Sequence, residues 1–223
     1  MTPIRDALRL CLVTDNELCA STGVVTTVRT AVAGGVTMVQ LRDKHATTAE
    51  RIKLGRSLKY VLRGTDVLLI INDDIEAALM VGAHGAHVGQ DDMPIAEARD
   101  MLGPDKLLGL SCGNDAELAA LAPSLVDYAG LGPVFSTESK PEHSPPIGID
   151  GLQRLAHASP VPCIAIGGLK QNHVDNVLAT GVCGLAVISA ICGQSDVEAA
   201  ARALKGAHEI QPVLENPPGG AAG

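Results

Sequence analysis

The stretch "VTMVQLR", residues 36–42, is an apolar run that ends in polar side chains at alternating positions. Successive side chains of a strand point to opposite faces, so Gln40 and Arg42 share a face, with Lys44 two residues further on. Val39 and Leu41 point the other way. A run that is apolar on both faces suits a parallel strand covered on both sides. Seven other runs read the same way: "RLCLVT" (9–14), "VLLIIN" (67–72), "GAHVG" (85–89), "LLGLSC" (107–112), "DYAGLG" (127–132), "VPCIAIGG" (161–168) and "GLAVIS" (184–189).

Segments of helical character lie between these runs. Thr47-x-x-Glu50 and Ser195-x-x-Glu198 have the capping-box pattern, and Asn114, Asp150 and Asn172 suit N-caps. Gly34, Gly35, Gly82 and Gly181 fall where helices should stop before the next strand. Eight strands each followed by a helix predict an α/β fold, a single (β/α)8 TIM barrel, over residues 1–210. The same alternation serves a doubly wound open sheet, but no G-x-G-x-x-G turn follows the first strand. From about Gln211 the sequence "QPVLENPPGGAAG" reads as a disordered tail, residues 211–223.

Composition narrows the function. The chain of 223 residues has no Trp, one Phe and two Tyr, so stacking platforms for single-stranded nucleic acid are scarce. A formal net charge of −8 disfavours nucleic acid and anionic membrane as partners. Any bound anion has to be held by a local cluster of donors. The six cysteines form no C-x-x-C pair and no zinc spacing, which fits reduced thiols in a cytoplasmic protein. The N-terminus makes a poor signal peptide, and no apolar stretch has the length of a transmembrane helix.

Active sites of such barrels lie at the C-terminal ends of the strands, and these ends carry the polar residues here. Gln40, Arg42 and Lys44 follow the second strand. Two cations and an amide at a barrel mouth make an anion site, to which Lys140 adds a cation, near Ser136, Thr137 and Ser139. A solvated loop is the alternative for Arg42 and Lys44. Asp73, Asp74, Asp91 and Asp92 follow two neighbouring strands and suit a Mg²⁺ that keeps waters and bridges to a diphosphate. The alternative for Asp73 and Asp74 is charge at the N-terminus of a helix, complementing its dipole. Gly167-Gly168 and the backbone after strand eight suggest a second phosphate position, made of amide N–H groups and a helix N-terminus. A structural turn would also explain the glycine pair. His84 and His87 flank Gly85; His87 reads as a satisfied structural histidine, with a place lining the barrel as the alternative, and no Ser-His-Asp or Cys-His nucleophile is apparent.

In order along the chain, "LVTD" (12–15), "QLRDK" (40–44), "NDD" (72–74), "GAHGAHVGQDD" (82–92), "GLS" (109–111), "DYAGLGPVFSTESK" (127–140), "AIGG" (165–168) and "GLAVISAI" (184–191) resemble the thiamine-phosphate synthase family. The resemblance implies condensation of a hydroxymethylpyrimidine diphosphate with a thiazole phosphate, through a pyrimidine carbocation captured by the thiazole nitrogen. It implies that Gln40, Arg42, Lys44 and Asn72 hold the pyrimidine diphosphate and that Ser111 and Lys140 contact its diphosphate. Arg42, Lys44, Ser111 and Lys140 form the implied catalytic set, and Asp73 and Asp92 the implied Mg²⁺ ligands. Thr137, Gly168, Ile188 and Ser189 are implied to bind the thiazole phosphate. Cys11 departs from the family, where an aromatic residue is frequent, and "PEHSPP" after Lys140 is unusually acidic and proline-rich. A thiazole tautomerase of the same fold and a non-catalytic sensor of thiamine precursors are the competing readings. The retained diphosphate and carboxylate residues argue against both. Self-association is left open.

Overall fold

Each of the eight apolar runs forms a strand in the computed structural model, which describes residues 4–137 and 145–206. The element order is α1 (Ile4–Ala7), β1 (Leu10–Val13), α2 (Val24–Ala33), β2 (Met38–Leu41), α3 (Thr48–Val61), β3 (Leu68–Asn72), α4 (Ile75–Val81), β4 (Gly85–Val88), α5 (Ile95–Leu102), β5 (Leu107–Cys112), α6 (Asp115–Ala119), β6 (Tyr128–Leu131), α7 (Gly148–Ala158), β7 (Cys163–Ile166), α8 (Val174–Leu178), β8 (Leu185–Val187) and α9 (Val197–Gly206). The strands pair in sequence order, all parallel, and the ring closes where Leu10 of β1 meets Leu185 of β8. The fold is a TIM barrel, and closure rules out the open sheet. The proposed tail, residues 211–223, lies outside the described residues.

The strands are mostly apolar because both of their faces are buried, the exceptions being cavity residues such as Gln40, Asn72, His87 and Ser111. Cys11, Val13, Met38, Leu68 and Ile70 point into the barrel with Tyr128 and Ile164. Their neighbours Leu10, Leu12, Val39, Leu41, Leu69 and Ile71 point outward into the layer beneath the helices. Each fully buried Leu or Ile contributes roughly 1.5–3 kcal/mol, and two such layers dominate the stability. The sequence reading did not foresee α1, whose Ile4 and Ala7 join the interior cluster with Leu8. It covers the end of the barrel where the strands begin.

Several helix starts follow the expected caps. Thr47 and Glu50 form a reciprocal capping box at α3, and the Asn114 side chain accepts from Glu117 N at 3.0 Å at α6. Gly82 ends α4 in the left-handed conformation. Three starts differ. Asp196, not Ser195, receives the Ala199 N–H at 2.9 Å, since α9 begins at Val197 and buries Val197, Ala201 and Leu204. Asp150 lies within the first turn of α7, which starts at Gly148, and Asn172 lies inside a 3₁₀ turn, Gln171–His173, that precedes α8.

Candidate active site

The C-terminal ends of the strands surround a cavity of about 330 Å³. Gln40, Arg42, Asn72, Ser111, Thr137, Gly168, Ile188 and Ser189 all line it, so eight residues inferred from sequence converge from six loops and strand ends. Lys44, Asp73 and Asp92 are not among its lining residues. Lys140 lies outside the described residues, as does Ser139.

The geometry of β2 accounts for the separation of Lys44 from Gln40 and Arg42. The strand stops at Leu41, and the inward alternation that began at Met38 carries through Gln40 to Arg42. Thr14, buried at the end of β1, then pins Arg42 at both main-chain groups: Arg42 N donates to Thr14 Oγ1 at 3.0 Å and Thr14 Oγ1 donates to Arg42 O at 3.1 Å. Asp43 turns the chain by accepting from His45 N at 3.1 Å and Ala46 N at 3.2 Å. That turn breaks the strand periodicity, so Lys44 stands exposed beyond the rim.

Inside the barrel a buried polar chain supports the cavity wall. His87 on β4, Gly109 on β5 and Tyr128 on β6 stand side by side in register. The His87 Nδ1 and Tyr128 Oη atoms are 3.1 Å apart, and His87 Nε2 lies 2.9 Å from Ser111 Oγ. Tyr128 also hydrogen-bonds with Gln40. Burial lifts the Tyr128 phenol well above its usual range, aided by the nearby Cys11 and Asp127, so it remains protonated. Gln40 and Ser111, two cavity residues on non-adjacent strands, are thereby tied together through two rings. Gly109 makes this possible: a Cβ there would sit 2.3 Å from Tyr128 Cζ and 2.4 Å from His87 Nδ1. His87, read as structural from the sequence, is both buried and cavity-lining. Tyr128 was missed, and the glycines facing the two rings, Gly109 and Gly130, were the available signal. Gln90 was also missed; its Nε2 donates to Ser111 O at 2.6 Å.

On the other side of the mouth, Gly167 and Gly168 follow β7 with φ of 89° and 67°. Their left-handed conformation favours glycine, and a Cβ on Gly168 would meet Phe135 Cβ and the Phe135 and Ser136 carbonyl oxygens at 2.7 Å. The expected helix N-terminus does not adjoin this pair, because the 3₁₀ turn intervenes before α8. Ser189 follows β8, and its carbonyl accepts from Gln194 Nε2 at 2.8 Å. Lys170, absent from the sequence reading, reaches across to Ser189 Oγ at 2.7 Å.

The four carboxylates behave differently. Asp74 caps α4, accepting from Ala77 N at 2.8 Å, and pairs with Arg51 at 3.0 Å. It is occupied by the fold. Asp73 is exposed with a left-handed φ of 62°, a conformation that aspartate adopts more readily than most residues. Its backbone N–H donates to His87 O at 2.8 Å, and its side chain accepts from Asn72 Nδ2. Asp92 Oδ2 accepts from Gly89 N at 2.7 Å. Asp91 lines the cavity. Among the described residues no group of three or more His, Cys, Asp or Glu could hold a metal ion by itself. Asp73 and Asp92 follow the adjacent strands β3 and β4, and Mg²⁺ needs only one or two carboxylates, completing its shell with water and substrate phosphate.

A TIM barrel whose strand ends gather the amides of Gln40 and Asn72, the Ser111 hydroxyl and the Arg42 guanidinium around one cavity defines the class: a barrel enzyme whose active site suits an anionic small molecule. Residues 10–191 match the family described as thiamine monophosphate synthase. The chain is 46% identical over 202 residues to the thiamine-phosphate synthase of Psychrobacter sp. (strain PRwf-1), covering 89% of this chain and 94% of that one. It is 44% identical to the enzyme of the same name from Vibrio campbellii, over 90% and 98% of the two chains. Among solved structures, thiamine phosphate pyrophosphorylase from Pyrococcus furiosus superposes with a TM-score of 0.84 at 35% identity, covering 93% of this chain and 98% of that one. The chain belongs to the thiamine monophosphate synthase family.

Proposed function

We propose that this barrel mouth joins a hydroxymethylpyrimidine diphosphate to a thiazole phosphate by a dissociative, Mg²⁺-assisted substitution. The activity is that of a thiamine-phosphate synthase, a transferase of thiamine biosynthesis. The observation that carries the reading is the division of one cavity between two sets of donors. Gln40, Arg42, Asn72 and Ser111 come from β2, β3 and β5, while Gly168, Ile188 and Ser189 come from β7 and β8.

In the first step the carbon–oxygen bond to the diphosphate breaks, and its electron pair leaves with the diphosphate. Arg42, Lys44 and Lys140, with Ser111 as a hydroxyl donor, stabilise the charge that develops there. Gln40 and Asn72 hold the pyrimidine. The thiazole nitrogen lone pair then forms a new bond to the methylene carbon, giving thiamine phosphate. Thr137, Gly168, Ile188 and Ser189 hold the thiazole phosphate, so the nitrogen is already close when the cation forms. Asp73 and Asp92 would hold Mg²⁺, which when bound supplies positive charge to the diphosphate. No protein nucleophile enters this scheme.

Among the described residues no helix is long and apolar enough to cross a membrane. All six cysteines are free, which supports a reducing, cytoplasmic setting. A homo-oligomer is compatible with a site built within one chain.

The test is to incubate the purified protein with both phosphorylated substrates and Mg²⁺ and assay thiamine phosphate. Product formation is expected, with a severe loss of turnover in Arg42→Ala and Lys140→Ala while the fold is kept. No product with any divalent metal would refute the synthase reading. Wild-type rates in either variant would refute that residue's role.

A further inference from the structure

We infer that Lys170 is a binding residue for the phosphate of the thiazole substrate, acting together with Ser189. The inference rests on the synthase reading of the cavity and adds to it a cation that the sequence did not reveal.

Lys170 lies two residues beyond Gly168, where the chain turns away from the barrel. Its main-chain N–H donates to His173 Nδ1 at 3.2 Å, and the His173 ring packs 4.2 Å from the Phe135 ring. These contacts fix the base of the side chain. The ammonium then reaches back over the rim to Ser189 Oγ at 2.7 Å. A lysine ammonium only donates, so Ser189 Oγ is the acceptor in this bond. The serine's own hydrogen is left to donate elsewhere, and Ser189 and Gly168 both face the cavity.

Charge makes the location informative. The chain carries a formal −8, so an anionic substrate meets an unfavourable overall field and depends on local cations. Among the described residues Lys170 forms no ion pair. Its charge therefore remains available beside the two strand ends assigned to the second substrate. Around the ring, β8 and β1 separate β7, which leads to Lys170, from β2, which leads to Arg42. Lys170, which meets the cavity through Ser189 rather than lining it, and Arg42 thus form separate cationic poles. With both substrates anionic, separate poles favour binding of each in its own half. A phosphate oxygen beside Ser189 would receive the hydroxyl hydrogen and a charge-assisted bond from Lys170, whose three donors suffice for Ser189 and the phosphate together.

The experiment compares wild type with Lys170→Met and Lys170→Arg. For Lys170→Met, KM for the thiazole phosphate should rise about tenfold, as loss of one charge-assisted hydrogen bond implies. The KM for the pyrimidine diphosphate should stay within about twofold, and kcat at saturation within about threefold, because binding rather than the chemical step is altered. Lys170→Arg should recover most of the loss. Equal rises in both KM values, or an unchanged KM for the thiazole phosphate in an active Lys170→Met enzyme, would overturn the inference. A second measurement titrates inorganic phosphate and follows its ³¹P NMR line. Wild type should broaden the line more than Lys170→Met at equal concentration, and identical titrations would also overturn the inference. Failure of wild type to make thiamine phosphate refutes the synthase reading separately, while the phosphate titration still reports on Lys170.

Discussion

Replacing Gly109 by alanine tests whether the polar chain inside the barrel is held by close packing. The new Cβ would lie 2.3 Å from Tyr128 Cζ and 2.4 Å from His87 Nδ1. Ordinary heavy-atom contacts begin near 3.5 Å, so the two rings would have to retreat by about 1 Å. Tyr128 and His87 are both buried and both line the cavity, so the space open to them is the cavity itself. Retreat lengthens the 3.1 Å bond between the rings and the 2.9 Å bond to Ser111 Oγ. Overpacking of this kind costs about 1–3 kcal/mol, and leaving a buried polar group unpaired costs about 1–3 kcal/mol more. The expected destabilisation is therefore about 2–6 kcal/mol. Urea unfolding followed by circular dichroism measures it as a lower midpoint with an unchanged slope. Turnover should fall at least about tenfold as Gln40 and Ser111 lose their common support. Tyr128→Leu supplies the control: in that background the same alanine should cost less than in the wild type, because one of the two rings it strikes is gone while His87 remains. A cost below about 0.5 kcal/mol with wild-type turnover would refute the reasoning, as would an equal cost in both backgrounds.

Asp73→Asn keeps the left-handed turn and should lower turnover about 100-fold or more with little change in stability, consistent with loss of a metal ligand. Asp74→Ala should do the reverse, costing about 1–2 kcal/mol through the α4 cap and the Arg51 pair while turnover stays within about threefold; identical effects would defeat the distinction. A chelator should abolish product formation and added Mg²⁺ restore it, and full activity without divalent metal would remove Asp73 and Asp92 from the site. His84 Nδ1 accepts from Leu69 N at 2.9 Å, and burial, with Lys106 and Lys59 nearby, holds its pKa below the ordinary 6.5. The unfolded chain therefore takes up this proton first, so the stability from neutral His84 is present above pH 6.5 and declines as pH falls through that value toward the folded pKa. His84→Asn, which keeps an acceptor, should flatten that decline in urea titrations; an unchanged slope would exclude His84 as the source. Five of the six thiols are buried and only Cys183 is partly exposed, so a thiol reagent should modify at most one cysteine quickly in the native chain and all six after unfolding. Two fast native thiols would contradict the packing.

The eight strands were legible because burial on both faces leaves near-continuous apolar runs, as in "VLLIIN". Their ends were read too long, because apolar residues such as Val36 and Val161 continue into the turns. Capping was legible at Thr47 and Asn114, whose side chains accept from the backbone three residues on. It failed at Ser195, where the neighbouring Asp196 caps instead, since the choice depends on which register buries Val197 and Ala201. Gln40, Arg42, Asn72 and Ser111 were legible because strand alternation or family resemblance puts them at the mouth. The His87–Tyr128 bond joins residues far apart in sequence, and only the strand register brings them level. Lys170 left no mark either: a lysine after Gly-Gly-Leu looks like any surface charge until its reach to Ser189 is known.

The closing of β1 on β8 has a consequence for the order of events during folding. Every other pairing joins strands next to each other in sequence, but Leu10 finds Leu185 only across almost the whole chain. During synthesis β1 emerges early and must wait, with one edge unpaired, for its last neighbour to be made. Long-range pairings of this kind form slowly, and an open edge invites pairing with other chains. The seam between the first and last strands is therefore where a nascent chain is most exposed to misassembly. Once Leu10, Cys11 and Leu12 have paired with β8, that hazard ends.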